Sequence, residues 1–191
     1  MLHKYDFGGK NMKNLLLTCG SKNGCSAYIS EKILAEIENI EQINISDMSI
    51  NYCDGCLTCD DTGICHIKDD MNLLIGKVKI AETIIFITPV RWNLLSGNLK
   101  VFLDRLNPLA VPGILCGKKA AVFAVGQTNM ETSESISSAI QSVKYFCDSA
   151  DMRLIFQQGF GNCLKITDVF SQECEIENSI RNFRTILKEC E

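Results

Sequence analysis

The chain has 191 residues, of which 46% are hydrophobic and 22% charged, and its formal net charge is −4. That balance suits one domain with a full core, and a slightly acidic chain without a basic run at either end is a poor fit to nucleic acid or an anionic membrane as main partner. No apolar segment approaches the roughly 20 residues of a membrane span, and the opening MLHKYDFGGKNMKN has neither a long apolar region nor a small-residue cleavage site, so a cytoplasmic location is expected.

In chain order, residues 1–13 read as a tail and 14–191 as a single domain. Leu15, Leu16 and Leu17 form a short apolar strand that runs into the polar loop TCGSKNGCS. A helix should follow, because Ile29, Ile33, Leu34, Ile37 and Ile40 recur at 3.6-type spacing. EQINIS (41–46) alternates as a strand. A cysteine-rich insertion occupies about 47–68, after which Asp69 or Asp70 is expected to cap a helix carrying Met71, Leu74, Ile75 and Val78.

TIIFITP (83–89) and AAVFAVG (120–126) are continuous apolar runs, as in the buried middle of a parallel sheet. Between them Ser96 can cap a helix with Leu99, Phe102, Leu103 and Leu106 on one face. A helix over about 132–150, a strand at 153–159 and a C-terminal helix carrying Ile176, Ile180, Phe183 and Leu187 complete the chain. The alternation predicts an α/β three-layer sandwich around a five-stranded parallel sheet, doubly wound in the flavodoxin-like order 2-1-3-4-5.

Ligands of such sheets bind beyond the carboxyl ends of the strands, where strand order reverses. The loops to inspect are therefore 18–26 and 88–96. The first offers Ser21, Asn23 and Ser26 as polar side chains, Lys22 as a cation, Gly20 and Gly24 for close approach, and the amides of the next helix. That set suits a phosphate, although an ordinary polar turn uses the same residues; it matches neither a Rossmann fingerprint nor a P-loop. The second loop carries Trp92, the only tryptophan in the chain, which could wall in a flat heteroaromatic ring or lie at an interface. One ligand with a phosphate and a flat ring satisfies both loops, and FMN is such a ligand. A response-regulator reading fails because the first strand ends in Thr18-Cys19-Gly20 rather than in an acidic cluster.

The chain has 11 cysteines. An odd count, no export signal and a full core point to a reducing compartment. Cys19, Cys116, Cys147 and Cys163 sit among apolar neighbours and read as small core residues. Cys53, Cys56, Cys59 and Cys65 differ in kind, being spaced C-x2-C-x2-C-x5-C with Gly55 and Gly63 between them. Compact x2 spacings suit an iron–sulfur cluster. Zinc, with His66 replacing a thiol, and free redox-active thiols stay open, whereas disulfides would have to survive cellular reductants.

The stretches GSKNGCS (20–26), CDGCLTCDDTGICHIKDDM (53–71) and TPVRWNLLSGNLKVFLDR (88–105) together resemble the NAD(P)H-dependent FMN reductase superfamily, and most closely its iron–sulfur flavoprotein branch, over about residues 14–107. The resemblance implies that Ser21, Lys22, Asn23, Gly24 and Ser26 bind the FMN phosphate, that Thr88, Pro89, Val90, Arg91, Trp92 and Asn93 lie along the flavin ring, and that Gly126 and Gln127 close its other side. It implies a 4Fe–4S cluster on Cys53, Cys56, Cys59 and Cys65, in a homo-oligomer where cluster and flavin exchange electrons. The expected activity is an FMN-dependent oxidoreductase passing electrons between NAD(P)H, or a reduced ferredoxin-like carrier, and an acceptor, with no side-chain acid or base. A clusterless NAD(P)H:FMN or quinone reductase, a flavodoxin-like electron carrier without its own substrate and a zinc-stabilised binding domain are the alternatives.

Overall fold

The apolar runs form strands that a sheet buries on both faces. A computed structural model describes residues 13–190, so the expected tail lies outside the described residues except for Lys13. In order, the elements are β1 (Asn14–Thr18), α1 (Cys25–Glu36), β2 (Ile40–Asn44), a 3-10 turn (Ile45–Asp47), α2 (Thr58–Thr62), α3 (Met71–Ile80), β3 (Thr83–Pro89), α4 (Gly97–Asp104), α5 (Asn107–Ala110), β4 (Lys119–Val125), α6 (Ser135–Ser149), β5 (Arg153–Phe160), α7 (Ile166–Phe170) and α8 (Glu173–Glu189).

The strands form one parallel sheet in the order β2-β1-β3-β4-β5. Alternate strand residues feed two separate cores. Leu15, Leu17, Ile84, Phe86, Ala120 and Val122 pack against α3, α4 and α6, while Leu16, Ile85, Ile87, Ala121 and Phe123 pack against α1 and α8. The result is the flavodoxin-like three-layer sandwich. No helix among the described residues is long and apolar enough to cross a membrane.

Several boundaries differ from expectation for local reasons. Helix α1 ends at Glu36, with Ile37 extended and Asn39 at φ +53, so Ile40 opens β2 instead of extending the helical stripe. The second strand stops at Asn44, whose side chain accepts from the Ser46 amide and starts the 3-10 turn. Asp70 stands at the N-cap of α3 but makes no side-chain cap bond; Asp69 Oδ1 accepts from the Met71 amide instead, and both carboxylates are drawn backwards to the cysteine-rich segment. Cys116 is exposed, in the turn before β4, where an apolar neighbourhood in sequence does not become one in space.

Candidate functional site

Three loops meet at the carboxyl edge of β1, β3 and β4, and a cleft of about 580 Å³ opens between them. The volume falls within the usual range for small-molecule sites, roughly 300–1,000 Å³.

The first wall is the loop from β1 to α1. Gly20 at φ +119 turns the chain out of the strand, a conformation L side chains rarely adopt. Its amide donates to Ser46 Oγ at 2.8 Å and its carbonyl accepts from Asn44 Nδ2 at 3.3 Å, so the end of β2 holds the turn in place. No side chain caps α1. The amides of Cys25 and Ser26, which open that helix, thus have no capping side chain, and they carry the positive end of its dipole into the cleft, beside Ser21.

The second wall is an extension of β3. The Arg91 amide donates to the Leu94 carbonyl at 2.8 Å and the Leu94 amide to Arg91 at 3.0 Å, closing a two-residue turn over Trp92 (φ +48) and Asn93 (φ +63). A turn with both central φ angles positive is normally built from Asn and Gly; here it places a bulky ring in a strained conformation, 98% exposed at the cleft rim.

The third wall joins the ends of β4 and β5. The Gly126 amide donates to Phe160, the Cys163 amide to Gly126 and the Asn162 amide to Thr128, at 3.0, 2.9 and 3.1 Å. Gly161 allows this closeness, because a Cβ there would stand 2.6 Å from the Thr128 carbonyl oxygen. The Thr128 hydroxyl is buried with no hydrogen-bond partner among the described residues, on a residue lining the cleft. A buried polar atom left without a protein partner is answered by ordered water or by a ligand atom.

Of the residues named from sequence, Ser21, Gly24, Ser26, Pro89, Val90, Arg91, Trp92, Asn93, Gly126 and Gln127 line this cleft. Three do not. Lys22 pairs with Asp47 at 3.2 Å and borders a neighbouring hollow, Asn23 is exposed, and Thr88 is buried behind the wall, its hydroxyl accepting from the Ser96 amide at 3.0 Å. The sequence reading missed Thr128, Ser135, Cys163 and Leu164; Gly161, just past the last strand, was the available signal. Burial pushes the Cys163 thiol up to about 11 and also raises Cys25, so these two cleft thiols stay protonated near neutrality.

The cysteine-rich segment leaves the sheet beyond β2 and is tied at its neck. Ser49 and Asp70 bond reciprocally through the Ser49 amide to Asp70 Oδ2 (2.7 Å) and the Asp70 amide to the Ser49 carbonyl (3.2 Å). The Asn51 amide donates to Asp69 Oδ2 at 2.9 Å. Arg105, from the end of α4, forks onto Asp69 at 2.9 and 3.0 Å. Burial would raise the Asp69 pKa, but the Arg105 fork and the Asn51 and Met71 amides outweigh it and hold the carboxyl below its ordinary value.

Beyond the neck the chain is largely exposed. Helix α2 starts after Leu57 in the left-handed region (φ +59) and ends at Gly63 (φ +66). All four thiols are free: Cys53 and Cys56 are exposed, Cys65 half-buried and Cys59 buried. Single ligand atoms of Asp54, Cys56 and His66 lie within 4.8 Å of one another, with His66 Nε2 2.8 Å from Asp54 Oδ2. The four sulfurs do not converge that tightly, and a four-iron cluster, which separates its ligands more widely than one ion does, does not require it.

Known proteins share the fold, and some are similar in sequence over part of the chain. An iron–sulfur flavoprotein of Archaeoglobus fulgidus is 35% identical over 108 residues, 54% of this chain and 49% of the relative. One of Methanocaldococcus jannaschii is 37% identical over 86 residues, 45% of each chain. The matched stretch thus spans about half the length of these curated relatives. Among solved structures, a flavone reductase superposes with a TM-score of 0.71 at 18% identity, covering 93% of this chain and 63% of its own, a likeness of fold. The family model described as NADPH-dependent FMN reductase matches residues 12–157, a span that includes both ligand loops, the cysteine segment and four of the five strands. The chain belongs to the NADPH-dependent FMN reductase family.

Proposed function

We propose that the protein is an FMN-dependent oxidoreductase that passes electrons between NAD(P)H, or a reduced carrier, and an acceptor through a 4Fe–4S cluster. The observation that carries the flavin half is the cleft: an uncapped helix end with two serines at one side, and an orphaned Thr128 hydroxyl at the other. The first suits a phosphate, and the second suits the polar edge of a flat ring. Bound there, FMN supplies acceptance of two electrons, as hydride or singly. The chain's own work is to grip, orient and dehydrate. The amides at the start of α1 with Ser21 and Ser26 hold the phosphate, Pro89 and Val90 form an apolar wall, and Arg91 adds a cation beside the ring. Lys22 and Asn23 act on the phosphate from outside the cleft, and Thr88 positions the second wall through Ser96.

Cys53, Cys56, Cys59 and Cys65 hold the cluster on an arm tied at its neck and exposed beyond it. Exposed Tyr52, Leu57 and Ile64 on that arm provide an apolar surface for a second copy of the chain, bringing cluster and flavin together in a homo-oligomer, and a ferredoxin-like carrier is a fitting electron partner.

The test is anaerobic purification with flavin, iron and sulfide analysis. One FMN with about four irons and four sulfides per chain is expected. Replacing each loop cysteine by Ser should remove iron and sulfide while FMN stays; FMN without iron in the wild type would leave the clusterless reductase. The convergence of Asp54, Cys56 and His66 favours zinc as the second reading, and a zinc-containing protein without iron would select it.

A further inference from the structure

Arg105 is the largest fully buried side chain among the described residues. A buried guanidinium is tolerated when its charge and its N–H groups are answered. Asp69 answers the charge, side chain to side chain, with both partners almost wholly sheltered from water. The remaining hydrogens reach main-chain oxygens, Nη1 to Asn51 at 2.7 Å and Nη2 to Ile67 at 3.5 Å. Those two carbonyls bracket residues 52–66, the stretch that carries Cys53, Cys56, Cys59 and Cys65. One helix end thus holds both ends of the thiol-bearing arm.

One donor is left over. Arg105 Nε is buried and has no hydrogen-bond partner among the described residues. Burial opposes the Arg105 charge, but the bonds and field of Asp69 and then those of the Cys65 side chain outweigh it and raise the Arg105 pKa. Cys65 is the thiol nearest the arm's return to the fold, two positions before Ile67, whose carbonyl Arg105 Nη2 holds.

We propose that Arg105 is a positioning residue for the cysteine arm: it fixes both ends of residues 52–66 and reserves its Nε–H for the sulfur of Cys65, favouring the reduced form of a cluster bound there. The assignment rests on the cluster reading above. Hydrogen bonds to the sulfurs are among the main determinants of a cluster's potential. A donor aimed at a ligand sulfur stabilises the added electron, so its loss makes reduction harder. An ion pair with a purely structural role would leave the potential alone, and it would not need an unpartnered donor.

The experiment uses the anaerobically purified holoprotein in three forms: wild type, Arg105→Lys, and the neutral pair Arg105→Gln with Asp69→Asn. Flavin, iron and sulfide are measured per chain, and the cluster and flavin potentials are read from one redox titration followed by electron paramagnetic resonance and absorption. FMN content and the two-electron flavin potential should match the wild type. The cluster midpoint should move negative, by about threefold to tenfold in the reduction equilibrium, the upper end being about 59 mV for one electron. If Arg105→Lys does not fold, the neutral pair, which leaves no buried charge, carries the same reading. Wild-type iron, sulfide and cluster potential in the variants would overturn the assignment. Absence of iron and sulfide from the wild type would instead overturn the cluster reading, and this assignment with it.

Discussion

The ligand cleft and the cysteine arm lie on the same edge of the molecule but are finished to different degrees. The cleft is walled by short loops, each hydrogen-bonded to a neighbouring strand end: Gly20 to Ser46, Val90 to Val125 and Gly126 to Phe160. The arm is secured at its neck and exposed beyond it, with Cys53 and Cys56 facing solvent. Backbone bonds of the sheet edge preform the first site. The second is mostly exposed, and under the proposed function a bound cluster would complete it.

The neck is the place to break this contrast most strongly. Arg105→Met leaves Asp69 buried and uncompensated, and should cost about 3–5 kcal/mol of stability, measured by chemical denaturation. Pairing it with Asp69→Leu should recover much of that loss. A mild effect of the single change would mean that water reaches the pair.

The same pair gives the arm a pH dependence. The folded pKa of Asp69 is depressed, so its contribution to stability is fully present above the ordinary carboxylate pKa of about 3.9 and is lost as pH falls below it. Denaturation midpoints should therefore decline below about pH 4 in the wild type, and Asp69→Asn, less stable throughout, should lack that component.

On the cleft side, Gly161→Ala pushes a methyl group into the Thr128 carbonyl. A cost of about 1–3 kcal/mol and weaker FMN binding are expected, with iron and sulfide content unchanged. Loss of iron as well would show that the two regions are not independent.

The smallest effect on stability belongs to Trp92. Its ring is almost fully exposed in a left-handed conformation that costs an L residue about 1–2 kcal/mol, so Trp92→Gly should leave the melting temperature unchanged or raised while weakening FMN binding. As the only tryptophan in the chain, Trp92 should also report FMN binding to the flavin-free protein by fluorescence quenching. A marked fall in melting temperature would mean that the ring is held by packing.

The legibility of the two regions in sequence differed in the same way as their order. The strands announce themselves because a doubly covered sheet demands unbroken apolar runs, and TIIFITP coincides with β3 to the residue. The two loops at the strand-order reversal followed from topology alone. The cysteine spacing marked the arm, but its clamp did not: Asp69 and Asp70 looked like helix caps, because local chemistry cannot reveal that Asp69 is paired with Arg105, 36 positions away, and Asp70 with Ser49. Thr128 and Cys163 were missed for the same reason, since the third wall exists only where the ends of β4 and β5 meet.

The sequence by itself determined the layer architecture, the strand order, the first two walls of the cleft and the clustering of four thiols. Each is written in periodicity or in spacing within a short window. Tertiary structure alone decided which hydroxyl is left unanswered in the cleft, which glycine lets two loops touch, and which buried cation holds the arm. Those depend on distances between residues far apart in the chain, and such distances are set only when both cores close on the sheet.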